Sequence, residues 1–226
     1  MRLLLISSSN VHGYGYLDHA EPEIRRVLEG IRTVAFVPFA LQNHDAYTEK
    51  VRERLGQMGF TVVQVRGRAE IDAAEAIFVG GGNTFRLLKM FYELDLLNAI
   101  RNRVLQDGIP YIGSSAGTNM AMPTIKTSND MPIVYPPSFD ALSLVPFQIN
   151  PHYLDPDPNS THRGETREER IREFLEENDT PVVGLREGTM LRVVDDSVTL
   201  VGLRPARIFR RGAEPEELPA GSLLAL

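Results

Sequence analysis

The chain has 226 residues, a formal net charge of −6, 42% hydrophobic and 24% charged residues, and no cysteine. This is the composition of one globular domain spanning 1–226, and its acidic balance argues against nucleic acid as the main partner. Without cysteine there are no disulfides, no thiolate metal sites and no thiol nucleophile, so covalent chemistry would fall to a hydroxyl, an amine or a carboxylate.

The apolar run at residues 3–6 is too short for a signal-peptide core and reads as a first strand. No segment approaches a membrane span, and the cytoplasm is the expected compartment. Pro22 suits the first turn of a helix over 23–29, which Gly30 ends. Residues 33–38 form a second buried strand. Asp45 is the expected cap of a helix running to Met58 and stopped by Gly59. Residues 60–65 and 76–79 read as the third and fourth strands, the latter leading into Gly80-Gly81-Gly82-Asn83. Asn83 can cap a helix whose apolar face holds Phe85, Leu88, Phe91 and Tyr92. Residues 110–112 are the fifth strand. Apolar strands alternating with helices predict a mostly parallel sheet covered on both faces, with sites beyond the carboxyl ends of its strands.

The second half is less regular. Residues 122–160 are proline-rich and would wall a site. Within them 142–150 is strand-like. Thr166 and Glu169 fit a capping box for a helix to about residue 177. Residues 181–185 form another buried strand, and 191–194 and 197–201, joined by Asp195-Asp196, form a C-terminal β-hairpin.

Gly113-Ser114-Ser115-Ala116-Gly117 follows the fifth strand and precedes a helix, as a nucleophile elbow does. The bare pentapeptide also suits a Gly/Ser loop; its flanking elements favour Ser115 as nucleophile. His152 leaves the strand-like 142–150 stretch and is the candidate base, with an ordinary surface histidine as the bland alternative. A metal site from His152, Asp155, Asp157 and His162 is the weaker reading, because the Asp-Pro pairs there look like turns. Asp130 and Glu187 compete to orient the imidazole, and the residues alone do not rank them. The N–H of Ala116 and that of Gly82 are the expected oxyanion donors. A phosphate cradle at Gly80–Gly82 is disfavoured, since no Walker lysine follows and the G-x-G-x-x-G spacing fails. Arg167, a cation in the first turn of a helix, is rationalised by an anion docking there, such as a substrate carboxylate; pairing with nearby glutamates in solvent is the plain alternative.

These segments together resemble the peptidase E family of α-aspartyl dipeptidases. The resembling stretches are Gly80-Gly81-Gly82-Asn83-Thr84-Phe85, 111–119 around Ser115, 123–132, Asn150-Pro151-His152, 162–170 and 184–188. The resemblance implies a flavodoxin-like α/β fold akin to class I glutamine amidotransferases, with serine in place of cysteine. It implies hydrolysis of dipeptides with an N-terminal aspartate through an aspartyl-enzyme, with no metal or organic cofactor. Ser115 then matches the nucleophile and His152 the base. Asp130 matches the aspartate usually placed in the charge relay, Glu187 a rival for that place, and Arg167 the arginine that recognises the aspartyl side chain. Asn83 is a further candidate for substrate contact. A cyanophycinase-like hydrolase of β-aspartyl linkages and a non-catalytic sensor of acidic small molecules stay open as alternatives, as does a homodimer.

Overall fold

Alternate residues of the first strands carry large apolar side chains on both faces, so the strands pair edge to edge and are covered from two sides. In the computed structural model, which describes residues 1–157, 159, 161 and 163–225, this is what forms. The elements of the first half are β1 (Arg2–Ile6), α1 (Glu21–Val27), β2 (Thr33–Val37), α2 (His44–Gln57), β3 (Thr61–Gln64), α3 (Arg68–Asp72), β4 (Ile77–Val79), α4 (Thr84–Glu93), α5 (Leu96–Leu105), β5 (Tyr111–Ser114) and α6 (Ala116–Met120). The second half adds β6 (Gln148–Pro151), α7 (Arg167–Glu177), β7 (Val182–Leu185), β8 (Thr189–Val194), β9 (Ser197–Gly202), β10 (Ala206–Phe209) and β11 (Glu216–Leu218).

The main sheet has the order β3-β2-β4-β5-β1-β8-β9. Its first five members are parallel, and the β8–β9 hairpin closes the β1 edge in antiparallel register. Leu3, Leu5, Ala35, Val37, Ile77 and Val79 face one core, built with α3, α4, α5 and α6. Leu4, Ile6, Val34, Phe36 and Phe78 face the other, under α1 and α2. A second sheet, β11-β10-β7-β6, carries α7, whose Ile171 and Leu175 pack on Val182 and Phe209. None of the described helices is long and apolar enough to cross a membrane.

Several local expectations shift. Asn43, not Asp45, caps α2, accepting from the Ala46 N–H at 3.0 Å; Asp45 sits inside the first turn, where its charge favours the helix dipole. The buried face of α4 runs through Thr84, Leu87, Leu88 and Phe91, while Tyr92 turns its hydroxyl to the Asp140 carbonyl. Of the 142–150 stretch only Gln148–Pro151 forms strand; Ser143 has φ 50 and residues 144–147 bend. Before that, Leu142 and Leu144 are buried, and their N–H groups donate to the Met120 and Ala121 carbonyls at the end of α6. The capping box of α7 forms as expected. The hairpin does not end the structure, since β10 and β11 continue into the second sheet.

Parallel pairing brings the carboxyl ends of β1, β4 and β5 together, with Ile6 opposite Ser114 and Val79 opposite Gly113. In the second sheet β6 and β7 are parallel, with Pro151 opposite Leu185. Ser7 ties the two sets of strand ends together. Its N–H donates to the Thr189 carbonyl, its hydroxyl donates to the Leu185 carbonyl at 2.7 Å, and its oxygen accepts the His152 N–H at 3.0 Å.

Candidate active site

Ser115 occupies the bend between β5 and α6 with φ 52 and ψ −108, a backbone conformation that non-glycine residues rarely adopt. Such a conformation costs roughly 1–3 kcal/mol and persists only where its surroundings hold it. Here the Ser115 N–H donates to the Ile6 carbonyl at 3.0 Å, Thr118 Oγ1 donates to the same carbonyl at 2.7 Å, and the Tyr111 hydroxyl donates to the Gly117 carbonyl at 2.6 Å. The flanking glycines are sterically required. A Cβ on Gly113 would run into the Gly117 carbonyl, and one on Gly117 into the Val79 carbonyl of the neighbouring strand.

The hydroxyl raised by this bend lies 2.9 Å from Nε2 of His152. His152, with φ 54, leaves β6 and is held through its own N–H by Ser7. On the other side of the ring, Nδ1 lies 2.8 Å from Oε1 of Glu187, at the exit of β7. The three side chains therefore form one hydrogen-bonded chain that spans both sheets.

Asp130 takes a different place. Its Oδ2 accepts from the Thr84 N–H at 2.8 Å, from Thr84 Oγ1 at 2.5 Å and from Ser128 Oγ at 3.2 Å. Asn119 Nδ2 donates to Thr84 Oγ1 at 2.9 Å, extending the cluster. A carboxylate set on the first N–H groups of α4 is stabilised by the helix dipole, and this is the charge-relay candidate's position: the start of α4 rather than the imidazole. Asn83 is likewise used by the helix it begins. Its Oδ1 accepts the Arg86 N–H at 3.0 Å and its Nδ2 donates to the Met131 carbonyl at 2.8 Å, so its amide is engaged at both ends by the protein itself.

The loop Gly80–Gly82 lies against the nucleophile; a Cβ on Gly81 would come within 3.2 Å of Ser115 Cβ. The Gly81 N–H is taken by the Tyr47 hydroxyl at 2.8 Å. The N–H groups of Gly82 and Ala116 have no acceptor among the described residues. Gly82 has φ 136, and a Cβ there would meet the Ala40 carbonyl oxygen at 2.6 Å.

Ser115, His152, Gly81 and Gly82 line a cavity of about 230 Å³ with Ser8, Tyr16, Tyr47 and Lys50. Arg167 does not line it. It is the first residue of α7 and borders a second cavity, of about 460 Å³, with Leu154, Asp155 and Arg170. Arg167 has no ion-pair partner among the described residues. Burial, then the charge of Arg170, push its pKa down, and the carboxylate of Asp130 pulls the other way. Of the residues in the metal reading, Asp155 pairs with Arg186 and His152 is engaged as above, and His162 lies outside the described residues. Among the described residues no group of three or more His, Asp or Glu could hold a metal ion. Ser7, Tyr16, Tyr47 and Lys50 were not anticipated. The one signal for Ser7 was its place just past the first strand.

Comparison with known proteins agrees with this architecture. A peptidase E of Streptomyces coelicolor (strain ATCC BAA-471 / A3(2) / M145) is 57% identical over 100% of this chain and 94% of its own. A Drosophila melanogaster protein described as a "Probable alpha-aspartyl dipeptidase" is 52% identical, over 96% of this chain and 92% of its own. The crystal structure of a peptidase from an acI-B1 Actinobacterium, at 18% identity, shares the fold with a TM-score of 0.69 over 100% of this chain and 96% of that one. The sequence pattern of peptidase family S51 matches residues 3–201, a stretch that contains the elbow, the imidazole and the carboxylate beside it, and the chain belongs to that family.

Proposed function

We propose that the protein is a serine dipeptidase that hydrolyses Asp-Xaa dipeptides through an aspartyl-enzyme. The observation that carries this reading is the unbroken chain Ser115 Oγ–His152–Glu187, opening on a cavity beside two unpaired backbone N–H groups. The relatives named peptidase E and α-aspartyl dipeptidase supply the substrate class.

In this mechanism His152 Nε2 takes the proton of Ser115 as Oγ attacks the peptide carbonyl. Glu187 accepts the Nδ1–H hydrogen bond, which fixes the tautomer that leaves Nε2 free and stabilises the imidazolium that forms. The Gly82 and Ala116 N–H groups hold the oxyanion; loss of one such donor costs roughly 3–4 kcal/mol of barrier stabilisation. The imidazolium then protonates the departing amine. Water, deprotonated by the same imidazole, attacks the aspartyl ester and releases aspartate. Arg167 recognises the aspartyl carboxylate, supported by its lack of a carboxylate partner among the described residues and by its place at the positive end of α7. Asp130 acts on Thr84 and the start of α4, and so on the loop that carries Gly82, not on the imidazole.

The test is a dipeptide panel varying only the first residue and its linkage, with Asp-Leu, Asn-Leu, Glu-Leu and β-Asp-Leu, run on the native chain and on Ser115→Ala. Asp-Leu should be the preferred substrate, and Ser115→Ala should lose on the order of 10⁶-fold in kcat, as for other serine nucleophiles. Preference for β-Asp-Leu would shift the assignment to β-aspartyl linkages, and unchanged turnover in Ser115→Ala would refute the nucleophile. A protein that binds acidic dipeptides without cleaving them would be a sensor.

A further inference from the structure

The cavity at Ser115 has a wall that the mechanism above leaves unused. Ser8, Ser9 and Asn10 come from the loop after β1, Tyr16 from the turns before α1, and Tyr47 and Lys50 from α2. This wall is joined to the oxyanion loop, because the Tyr47 hydroxyl accepts the Gly81 N–H. Lys50 is its only cation. Its ammonium stands 4.2 Å from the centre of the Tyr16 ring, a cation–π contact, and has no carboxylate partner among the described residues. Two of the three acidic residues of the same helix pair elsewhere, Glu49 with Arg52 and Asp45 with Arg66; the third, Glu53, makes no ion pair with Lys50. Burial pushes the pKa of both Tyr16 and Tyr47 up, so neither ring brings a negative charge to compete for the lysine.

A cation resting on an aromatic face beside a nucleophile is completed by an anion that arrives with the substrate. An Asp-Leu dipeptide has two carboxylates, one on the side chain of its first residue and one at its C-terminus. His152 Nε2 must protonate the departing amine, and His152 opens on this cavity, so the second residue leaves through it. Arg167 borders the other cavity, which leaves the C-terminal carboxylate for Lys50. A volume of about 230 Å³, below that of drug-sized pockets, suits one amino-acid residue.

Resting on the dipeptidase reading, we propose that this cavity is the leaving-residue subsite and that Lys50 binds the free α-carboxylate of the second residue. A longer or amidated substrate presents a neutral amide at that point and loses the ion pair, so Lys50 limits the enzyme to dipeptides.

The experiment compares kcat/KM for Asp-Leu, Asp-leucinamide and Asn-Leu in the native chain, Lys50→Met and Lys50→Arg. Lys50 is exposed on α2, and thermal melting checks that both variants fold. The native chain should prefer Asp-Leu over Asp-leucinamide by roughly 10- to 100-fold, the range of a charge-assisted hydrogen bond. Lys50→Met should lose most of that preference by slowing Asp-Leu far more than Asp-leucinamide, and Lys50→Arg should retain most of it. The Asp-Leu to Asn-Leu ratio should stay as in the native chain. An unaltered acid-to-amide preference in Lys50→Met would overturn the proposal. So would a collapse of the Asp-to-Asn ratio, which would make Lys50 the reader of the aspartyl side chain. If the native chain cleaves none of the three, the dipeptidase reading itself fails and this assignment with it.

Discussion

Glu187 and His152 meet at 2.8 Å although they are 35 residues apart, because β6 and β7 run parallel with Pro151 opposite Leu185. Each residue is the first or second past its strand, so the register itself sets the carboxylate beside the imidazole. Replacing Glu187 by Gln keeps the shape but lets the amide favour the wrong tautomer. The comparable change at a buried triad aspartate costs about 10⁴-fold in kcat. Glu187 is 46% exposed, so water replaces part of what is lost, and a fall of roughly 10²- to 10³-fold is expected with little change in KM. Asp130→Asn should act on stability instead, weakening hydrogen bonds to Thr84 and lowering Tm, with a smaller effect on kcat. Steady-state kinetics and melting curves for the two variants separate the roles; the larger kcat loss in Asp130→Asn would reverse them.

Ser7→Ala removes one hydroxyl and breaks two contacts. Ser7 is fully buried, so the His152 N–H would be left without its partner, while the Leu185 carbonyl keeps only the Tyr153 N–H at 3.2 Å. Buried unpaired polar groups cost about 1–3 kcal/mol each, and Tm should fall accordingly. The kinetic consequence is separate. His152 is held at φ 54 by this contact, and a shift of its ring lengthens the 2.9 Å approach to Ser115. A loss of about 10- to 100-fold in kcat with KM for Asp-Leu preserved is expected. A variant that melts earlier but turns over at the native rate below its transition would show that Ser7 only joins the sheets.

Gly82→Ala and Gly13→Ala form an informative pair. Both glycines have positive φ, 136 and 84, so alanine is strained at each. Only at Gly82 would the new Cβ also strike a neighbour, the Ala40 carbonyl, while at Gly13 it meets nothing within 4 Å. Gly13→Ala should therefore cost about 1 kcal/mol and spare activity. Gly82→Ala must move the loop whose N–H is assigned to the oxyanion, and kcat should drop about 10²- to 10³-fold. Equal kinetics in the two variants would remove Gly82 from the oxyanion hole.

The parts of this site that rest on steric necessity were legible in the sequence. Gly113 and Gly117 can be nothing larger, so the elbow shows as a pentapeptide between a strand and a helix. Thr166 and Glu169 satisfy each other's backbone within one turn, so the start of α7 is written locally. The spacing of Leu96, Ala99, Ile100 and Val104 also carries a helix signal, that of α5. Other features depend on pairing between distant segments. Nothing near Asp130 or Glu187 tells which one faces the imidazole, because that follows from the β6–β7 register. Nor does Ser7-Ser8-Ser9 say which serine turns inward between the sheets. Of the short strands, β10 is fixed by its partner β7, and β11 by β10 and by the contact of Glu217 with Arg186, with little periodicity of their own.

Arg186 precedes Glu187 and is buried, and its guanidinium holds two carboxylates at once. It donates to Asp155 at 2.8 and 2.6 Å, to Glu217 at 2.9 Å twice, and to the Pro205 carbonyl at 2.8 Å. These contacts raise the pKa of Arg186, and hydrogen bonding to Arg186 holds the Asp155 carboxyl below its usual range. A carboxylate with a lowered folded-state pKa adds stability above its unfolded value, about 3.9, and loses that contribution as pH falls through the folded one. The urea midpoint of the native chain should therefore exceed that of Asp155→Asn above about pH 5, and the gap should close as the solution is taken below about pH 4. Arg186→Met leaves both carboxylates with only the looser Arg207 guanidinium, 3.8 Å from each. Breaking a buried pair costs about 3–5 kcal/mol; Asp155 and Glu217 are half-exposed, so roughly 2–3 kcal/mol is expected. Because Glu187 sits on the same turn, kcat should fall in Arg186→Met even at temperatures where it is fully folded. Arg186→Lys, which carries the charge without the planar fork, should recover only part of either loss. Full recovery in the lysine variant would mean that charge alone, not bidentate geometry, sets this turn.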